Sequence, residues 1–333
     1  MSGGQESTVD GVTAHPRALV TAGTGRRRLW REFVALWAFG LREYRIWQSY
    51  RVNQVLWLTN LFVTTYLFFL LGKTLAGDAA SVIPAAYGTN YMSFIVVGVT
   101  INVFINTNLV DPYIRIRRAY FQGTMDLFLL SPMSIYTPLL GLMSKSAIDD
   151  YPRLFFTFGF GMLLFGASFS FHAVWLALGF TVLFLAAGFG IGLLSASSFH
   201  LFDIKQGTAT STASGSGAGG SLEPISFIVQ GLLATLVAGT YYPVTVLPMP
   251  LQWLACLIPH TYAFDALRRL LDPNARLGQP VLPIQHALPG LSPIAVDGLA
   301  LGLLTVTLLP LGFYLYARGI ERARGNGTLT RWQ

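Results

Sequence analysis

Apolar stretches long enough, as helices, to cross a lipid bilayer about six times dominate this chain and limit what it can fold into. A hydrocarbon core about 30 Å thick takes roughly 20 helical residues. Residues 54–71 supply the first such stretch, with Phe62-Val63-Thr64-Thr65-Tyr66-Leu67-Phe68-Phe69-Leu70-Leu71 at its centre. The second is residues 91–110; its Asn102, Asn106 and Asn108 are costly against lipid tails and are expected to face protein or a water path. The third ends near Ser168, and the fourth is residues 174–195, joined by a few residues around Ser170-Phe171-His172. The fifth is residues 225–239 and the last 296–316, ending in Arg318, Arg322 and Arg324. Only 11% of the chain is charged, where a soluble domain carries about 25%. That deficit makes lipid the expected solvent for most of the surface.

The flanks fix an orientation. Residues 1–25 are polar, with no apolar core and no cleavage pattern of a secretory signal, so they read as a disordered cytoplasmic tail. In residues 29–47, Trp30, Phe33, Leu36, Trp37, Leu41 and Tyr44 recur at helical spacing among Arg31, Arg42 and Arg45. A basic amphipathic helix with Trp on its apolar face lies in the membrane plane; a soluble core helix is the alternative. The Arg-rich segments are the N-terminal region, the loop after the second span and the tail 319–333, and an even span count puts all three on the cytoplasmic side. Both termini of a multi-pass plasma-membrane protein are thus expected in the cytoplasm. Loops 72–89 and 170–172 then lie outside with almost no Lys or Arg; the segment from Tyr241 to Asp297, with Arg268, Arg269 and Arg276, is the exception, partly balanced by Asp265 and Asp272. The net charge of +7 sits beside apolar segments, which argues for membrane lipid and against nucleic acid as a partner. Cys256 is the only cysteine, so no intrachain disulfide can form. Residues 207–221 are low in complexity and read as an unstructured linker.

Residues 241–271 are apolar but broken by Pro243, Pro248, Pro250 and Pro259, so they cannot form one continuous helix. A short helix from Pro250 and a second from Thr261 to Leu271 would dip into the outer leaflet and return, which is allowed only where protein or water satisfies the broken backbone; a loop packed on the outer surface is the other possibility. Tyr242-Pro243, Leu247-Pro248, Leu251-Gln252, Ile258-Pro259, Thr261-Tyr262 and Arg268 together resemble the signature that precedes the last span of ABC-2 type exporter permeases. Gly123-Thr124-Met125-Asp126-Leu127-Phe128-Leu129-Leu130-Ser131-Pro132 resembles the family's cytoplasmic Gly-Thr-Leu-Glu-x-Leu-Leu-x-x-Pro segment, with Asp126 where the family usually has Glu.

The resemblance covers residues 31–318 and implies an all-α integral membrane fold: six transmembrane helices, an N-terminal amphipathic interfacial helix, a cytoplasmic coupling helix and a re-entrant helical pair before the last span. It also implies an ABC exporter permease that pairs with a second copy or a paralogous permease and with an ABC ATPase subunit. Residues 115–130 would receive the ATPase motion, with Arg117, Arg118, Gly123, Thr124 and Asp126 as coupling residues and Phe121, Leu127 and Leu130 on the membrane side; topology and headgroup anchoring explain the arginines equally well. The re-entrant or gate motif would comprise Tyr242, Pro243, Leu247, Pro248, Gln252, Pro259, Thr261, Tyr262 and Arg268.

The sequence has no Gly-x-x-x-x-Gly-Lys-Ser/Thr loop, so ATP and Mg are expected on the partner, with no cofactor and no enzyme activity on this chain. Neither a His-Glu-x-x-His helix nor a Cys–His pairing at metal-site spacing occurs, so no metal is expected; His172 and His260 read as structural, at loop or interface positions. Lys145, Asp149 and Arg153, beside Asp150, fall at four-residue intervals on one helix face with alternating sign. If the third span starts near Pro138 they form an intramembrane polar cluster; if it starts near Leu154 they are interfacial, the reading favoured here. The expected cargo is an amphiphilic drug or lipid moving outward, because no aromatic track for sugars is evident. Polysaccharide or glycolipid export, and a secondary transporter with no ATPase, are the competing functions; an intramembrane enzyme lacks the necessary nucleophile–base set.

Overall fold

The computed structural model describes residues 25–74, 83–88, 90–105, 109, 111–121, 124, 134, 136–201, 233 and 236–325. The tail 1–24, the linker 207–221, most of the expected fifth span, and Gly123 and Asp126 of the coupling segment lie outside the described residues, as do the side chains of Arg117, Arg118, Lys145, Asp149 and Asp150.

Among the described residues every regular element is helical: α1 Gly25–Ser49, α2 Arg51–Thr74, α3 Tyr91–Ile105, α4 Asp111–Phe121, α5 Tyr136–Phe165, α6 Val174–Leu201, α7 Met249–Ala255, α8 Pro259–Leu271, α9 Pro283–Ala287 and α10 Pro293–Gly325, with 3-10 turns at Ala85–Tyr87 and Val244–Val246. Residues 174–197 and 293–322 are long and apolar enough to cross a membrane, and residues 91–102 and 152–165 form shorter apolar helices.

Side-chain pairings give the direction of each long helix. Along α2 and α5, Trp57 meets Phe156, Phe62 meets Phe160, and Phe69 meets Phe165, so these two run parallel. Ser93 and Asn90 at the start of α3 bond the carbonyls of Ser168 and Gly166 just past the end of α5, so α3 is antiparallel to α5. Between α6 and α10, Phe180 approaches Gly298, the Thr305 hydroxyl bonds the Leu183 carbonyl, and Gly190 meets Gly312, so they run parallel. One end of the bundle, here the upper, therefore gathers the start of α3, the end of α5, the starts of α6 and α10, and α7–α9. The lower end gathers α4, the starts of α2 and α5, and the far halves of α6 and α10, around Ile116, Leu139, Leu193, Ala196, Tyr316 and Ile320.

The α6–α10 contact is the most extensive among the described residues. A Cβ on Gly190 would lie 2.6 Å from the Leu308 carbonyl carbon, and one on Gly312 would lie 2.6 Å from the Gly190 oxygen. Small residues let two apolar helices touch backbone to backbone, which adds close dispersion contact. The outward side of α10 stays bare, with Leu303 67% and Val306 72% exposed.

Three boundaries differ from the sequence expectation. The described part of the second span's helix runs to Ile105, and Asp111-Pro112 opens α4 instead of merely closing the preceding helix. An acid at a helix N-terminus offsets the dipole and proline fits the first turn, so this dipeptide starts a helix as readily as it stops one; Asp111 also pairs with Arg115 at 3.2 Å. Tyr113, Ile116 and Ala119 form the buried face of α4. Second, α5 is one 30-residue helix, about 45 Å long. It contains both candidate starts of the third span, and the run Lys145–Arg153 straddles its middle. Third, Gly166 takes a φ of 73°, the left-handed geometry that closes a helix, so α5 stops at Phe165 and residues 166–173 link it to α6.

Candidate functional site

The upper end is built from breaks. Proline opens each new helix there: Pro250 in α7, Pro259 in α8, Pro283 in α9 and Pro293 in α10. Proline pre-sets φ and lacks an N–H that would have no partner in the first turn. Each break also strands main-chain carbonyls, and a carbonyl buried without a donor is costly.

The polar side chains of the Tyr242–Arg268 motif supply those donors. Tyr242 donates its hydroxyl to the Leu236 carbonyl. Pro243 and Pro248 donate nothing; they occupy the positions just before the 3-10 turn and α7. Gln252 reaches back from α7 to the Leu247 carbonyl at 2.7 Å. Thr261 and Tyr262, in the first turn of α8, donate to the carbonyls of Ala255 and Cys256 at the end of α7, at 2.7 and 2.5 Å. The first turn of one helix thus closes the last turn of the other.

Arg268 does the same over a longer span. Its Nη1 and Nη2 donate to the carbonyls of Gly239 and Thr240 at 2.7 and 2.6 Å, and its Nε to the Phe94 carbonyl at 3.3 Å. The guanidinium lies 3.5 Å from the Phe94 ring centroid. Gly239 and Thr240 lie just past the helical residues Leu236–Val237. Gly98 of α3 leaves the space for it. Burial pulls the Arg268 guanidinium down to about 9, which keeps it charged at neutral pH.

α8 is buried along its whole length, although its sequence is amphipathic. Its polar face meets protein instead of water. Arg269 donates to Asp265 at 2.9 Å and to the Gln279 carbonyl at 2.6 Å. Gln285 of α9 donates to Asp265 at 2.6 Å and to Asp297 of α10 at 2.8 Å, and its own oxygen accepts the main-chain N–H groups of Val281 and Leu282. Tyr87 covers this group, its ring centroid 5.5 Å from the Arg269 guanidinium. His260, expected at a loop or interface, is instead fully buried inside α8, edge-on to Phe184, with neither ring nitrogen bonded. Burial lowers its pKa to about 3 and keeps it neutral. His172 shares a hydrogen bond with Ser170 at the upper turn.

The other two residue groups lie below. Thr124 donates to the Ala119 carbonyl and caps the end of α4. Arg153 stacks on Trp57 of α2 at 5.2 Å. Among the described residues no three His, Cys, Asp or Glu side chains converge on a metal position. The motif reading did not include Asp265, Arg269, Gln285 and Asp297 as a unit. The i,i+4 spacing of Asp265 and Arg269 was the available signal; Gln285 and Asp297 have none without the fold. Glu32 of α1 was also missed: it accepts from the Ser134 N–H at 2.9 Å and from the Thr137 hydroxyl, at the N-terminal end of α5.

No protein-family model matches this chain, and no curated protein matches it. The functional reading rests on the chain's own residues.

Proposed function

We propose that this chain is a six-span permease subunit of an ATP-driven exporter, of the ABC-2 type that its motifs resemble, moving an amphiphilic drug- or lipid-like substrate outward across the plasma membrane. One observation carries the reading: a proline-broken helical pair, α7–α8, sits at one end of a bundle of apolar helices, with its freed carbonyls capped by the motif's own side chains. Such capping is what a backbone break needs where no water can serve it. A soluble protein could leave the same carbonyls to solvent.

Helix directions support the six-span count. Taking α2 as up, α3 runs down, α5 up, α6 down and α10 down, so one upward passage is needed between α6 and α10, where the sequence has residues 225–239. α1 supports a membrane-plane helix. It turns Glu32 and Glu43 toward protein and leaves Trp30, Phe33 and Trp37 exposed, with Trp37 at 68%. Water would favour the reverse. The arginines that broke the positive-inside pattern, Arg268 and Arg269, are buried and bonded internally, so they do not act as headgroup-facing charge. With the Arg-rich termini and α4 at the lower end, that end is the cytoplasmic one. ATP and Mg belong to a separate ATPase, reached through α4 and the residues after it, with Arg117, Arg118 and Asp126 as the contact and a second copy or a paralogous permease completing the pathway.

Polysaccharide or glycolipid export gains one specific observation. Trp57, Phe62, Tyr66 and Phe69 of α2 mesh with Phe156, Phe160 and Phe165 of α5 into an aromatic seam. Ring faces of this kind stack on the C–H faces of sugars, and no such track is legible in the linear sequence.

The test is transport by the chain purified with its ATPase and sealed into liposomes. The expected result is ATP-dependent movement of a fluorescent amphiphile, with Arg117→Glu and Asp126→Lys uncoupling hydrolysis from movement. Preferential movement of a lipid-linked oligosaccharide would select the second substrate class. Movement driven by an ion gradient with no ATPase present would overturn the proposal.

A further inference from the structure

Resting on the membrane-plane reading of α1, we propose that this helix selects anionic lipid: Arg31, Arg42 and Arg45 form one row that binds the negative headgroups of the bilayer. Eleven residues turn an α-helix about three times, so positions eleven apart share a face. Along α1 this pairs Trp30 with Leu41, Phe33 with Tyr44, Arg31 with Arg42, and Glu32 with Glu43. Arg45, one turn on from Arg42, extends the basic row. The apolar and basic members are all exposed. The acids turn to protein: Glu32 accepts from Ser134 and Thr137, and Glu43 is buried. One residue is a step of about 100° around the helix. The arginines therefore occupy one flank, between the aromatic face and the face packed on α5. The opposite flank, with Leu36, Gly40 and Trp47, has no charge.

Residues 29–49 contain three arginines and two glutamates. Folding separates them. Both acids face the protein, so the outward surface of this stretch is left basic with no acid to oppose it. Among the described residues the row has one ion pair, Arg42 to Glu43 at 3.8 Å, and the Arg42 side chain stays 62% exposed. The occupant must meet both exposed faces at once. Water suits the arginines and leaves the rings bare; lipid tails suit the rings and strand the arginines. The headgroup layer serves both, with rings at the interface and long cationic side chains reaching the phosphates. A negative headgroup adds an attraction that a zwitterionic one lacks, about fivefold in affinity for each arginine. An acidic protein surface, such as one on the ATPase, would pair with the arginines and leave the rings of Trp30, Phe33 and Trp37 in water.

The experiment uses the full chain in nanodiscs of phosphatidylcholine, alone or with increasing phosphatidylglycerol, and follows amide exchange by mass spectrometry. Residues 29–49 are expected to exchange more slowly as phosphatidylglycerol is added, with residues 259–271 unchanged. High salt should remove the difference, because the arginines are exposed and screened. Arg45→Gln should raise the phosphatidylglycerol content needed for half the protection about fivefold. The triple variant Arg31→Gln, Arg42→Gln, Arg45→Gln should lose the lipid dependence, and Arg276→Gln, an exposed arginine at the upper end, should keep it. Equal exchange in both lipids, or a triple variant that still responds, overturns the proposal. Protection that appears on adding the ATPase and not on adding phosphatidylglycerol also overturns it and assigns the flank to that protein. If the triple variant does not fold, Arg45→Gln and the salt titration decide: a response unmoved by both refutes lipid selection. A chain that enters the nanodisc without any lipid dependence sinks this inference and leaves the membrane-plane reading standing; a chain that does not enter sinks both.

Discussion

Gly98 and Arg268 share one space: a Cβ on Gly98 would lie 2.7 Å from Arg268 Nη2 and would overlap the Thr240 carbonyl that this nitrogen bonds. Any side chain at position 98 must push the guanidinium off its acceptor. Gly98→Ala is expected to lower stability by ~1–3 kcal/mol, as overpacking does. Gly298→Ala is the control, because its Cβ would meet Phe180 at an ordinary 3.5 Å. Melting temperatures of the two variants in nanodiscs should separate clearly; equal values would show that Arg268 can move without cost.

Arg268→Lys keeps the charge and loses the fork. An ammonium group at the end of a flexible stem can reach one of the carbonyls of Phe94, Gly239 and Thr240 at good geometry, not all three. Each carbonyl left bare costs ~1–3 kcal/mol, so this conservative change is expected to be more damaging than Gly98→Ala. Expression and melting temperature are the readouts, and a lysine variant as stable as wild type would remove the capping role.

Much of this was legible from the residues alone. Apolar runs marked α2, α3, α6 and α10, and proline spacing marked the break between α7 and α8. Thr261, Tyr262, Gln252 and Arg268 were visible as a motif, but not their shared task, because a carbonyl acceptor belongs to the backbone and leaves no trace in side-chain identity. Burial of α8 on every face could not be read either. Its amphipathic pattern predicts a solvent side, and only the packing of Gln285 and Asp297 against Arg269 and Asp265 makes that side internal. Local spacing hides the same kind of fact at Glu32, whose partners Ser134 and Thr137 are distant in sequence.

Thr261→Val and Tyr262→Phe each delete one cap from the end of α7 with little change of shape. A loss of ~1–2 kcal/mol apiece is expected from the orphaned carbonyls of Ala255 and Cys256. Because the two caps act on adjacent carbonyls, the damage should be local. Hydrogen exchange is expected to rise in residues 249–258 and not in α6. Uniform exchange across the bundle would mean that the caps hold the whole fold and not this turn.

His260 gives the upper end an acid limit. Burial lowers its pKa from 6.5 to about 3. The folded state therefore resists a proton that the unfolded chain accepts, and stability is lost as pH falls below 6.5 toward 3. The loss at pH 5 is ~2 kcal/mol by linkage. His260→Phe retains an aromatic ring against Phe184 and cannot take up the proton, so its melting temperature should be flatter between pH 7 and 5. A parallel fall in both proteins would assign the acid sensitivity elsewhere.

Glu32 of α1 has a defined task at the start of α5. Its two oxygens accept from the Ser134 N–H and the Thr137 hydroxyl, where α5 has unpaired N–H groups and a positive dipole end. Phe39, two turns on, packs against the bare face of Gly141, so polar and apolar contacts hold the same seam. Glu32→Ala removes an N-terminal cap, worth ~0.5–2 kcal/mol, and should loosen α1 without disturbing α8. Amide exchange measured by mass spectrometry should rise in residues 29–49 and at the first turn of α5, with residues 259–271 unchanged. If α1 is instead held mainly by the lipid under Trp30, Phe33 and Trp37, Glu32→Ala will leave its exchange as it was, whereas Trp37→Glu will raise it. The pair of variants thus separates a helix clamped to the bundle from one that floats beside it.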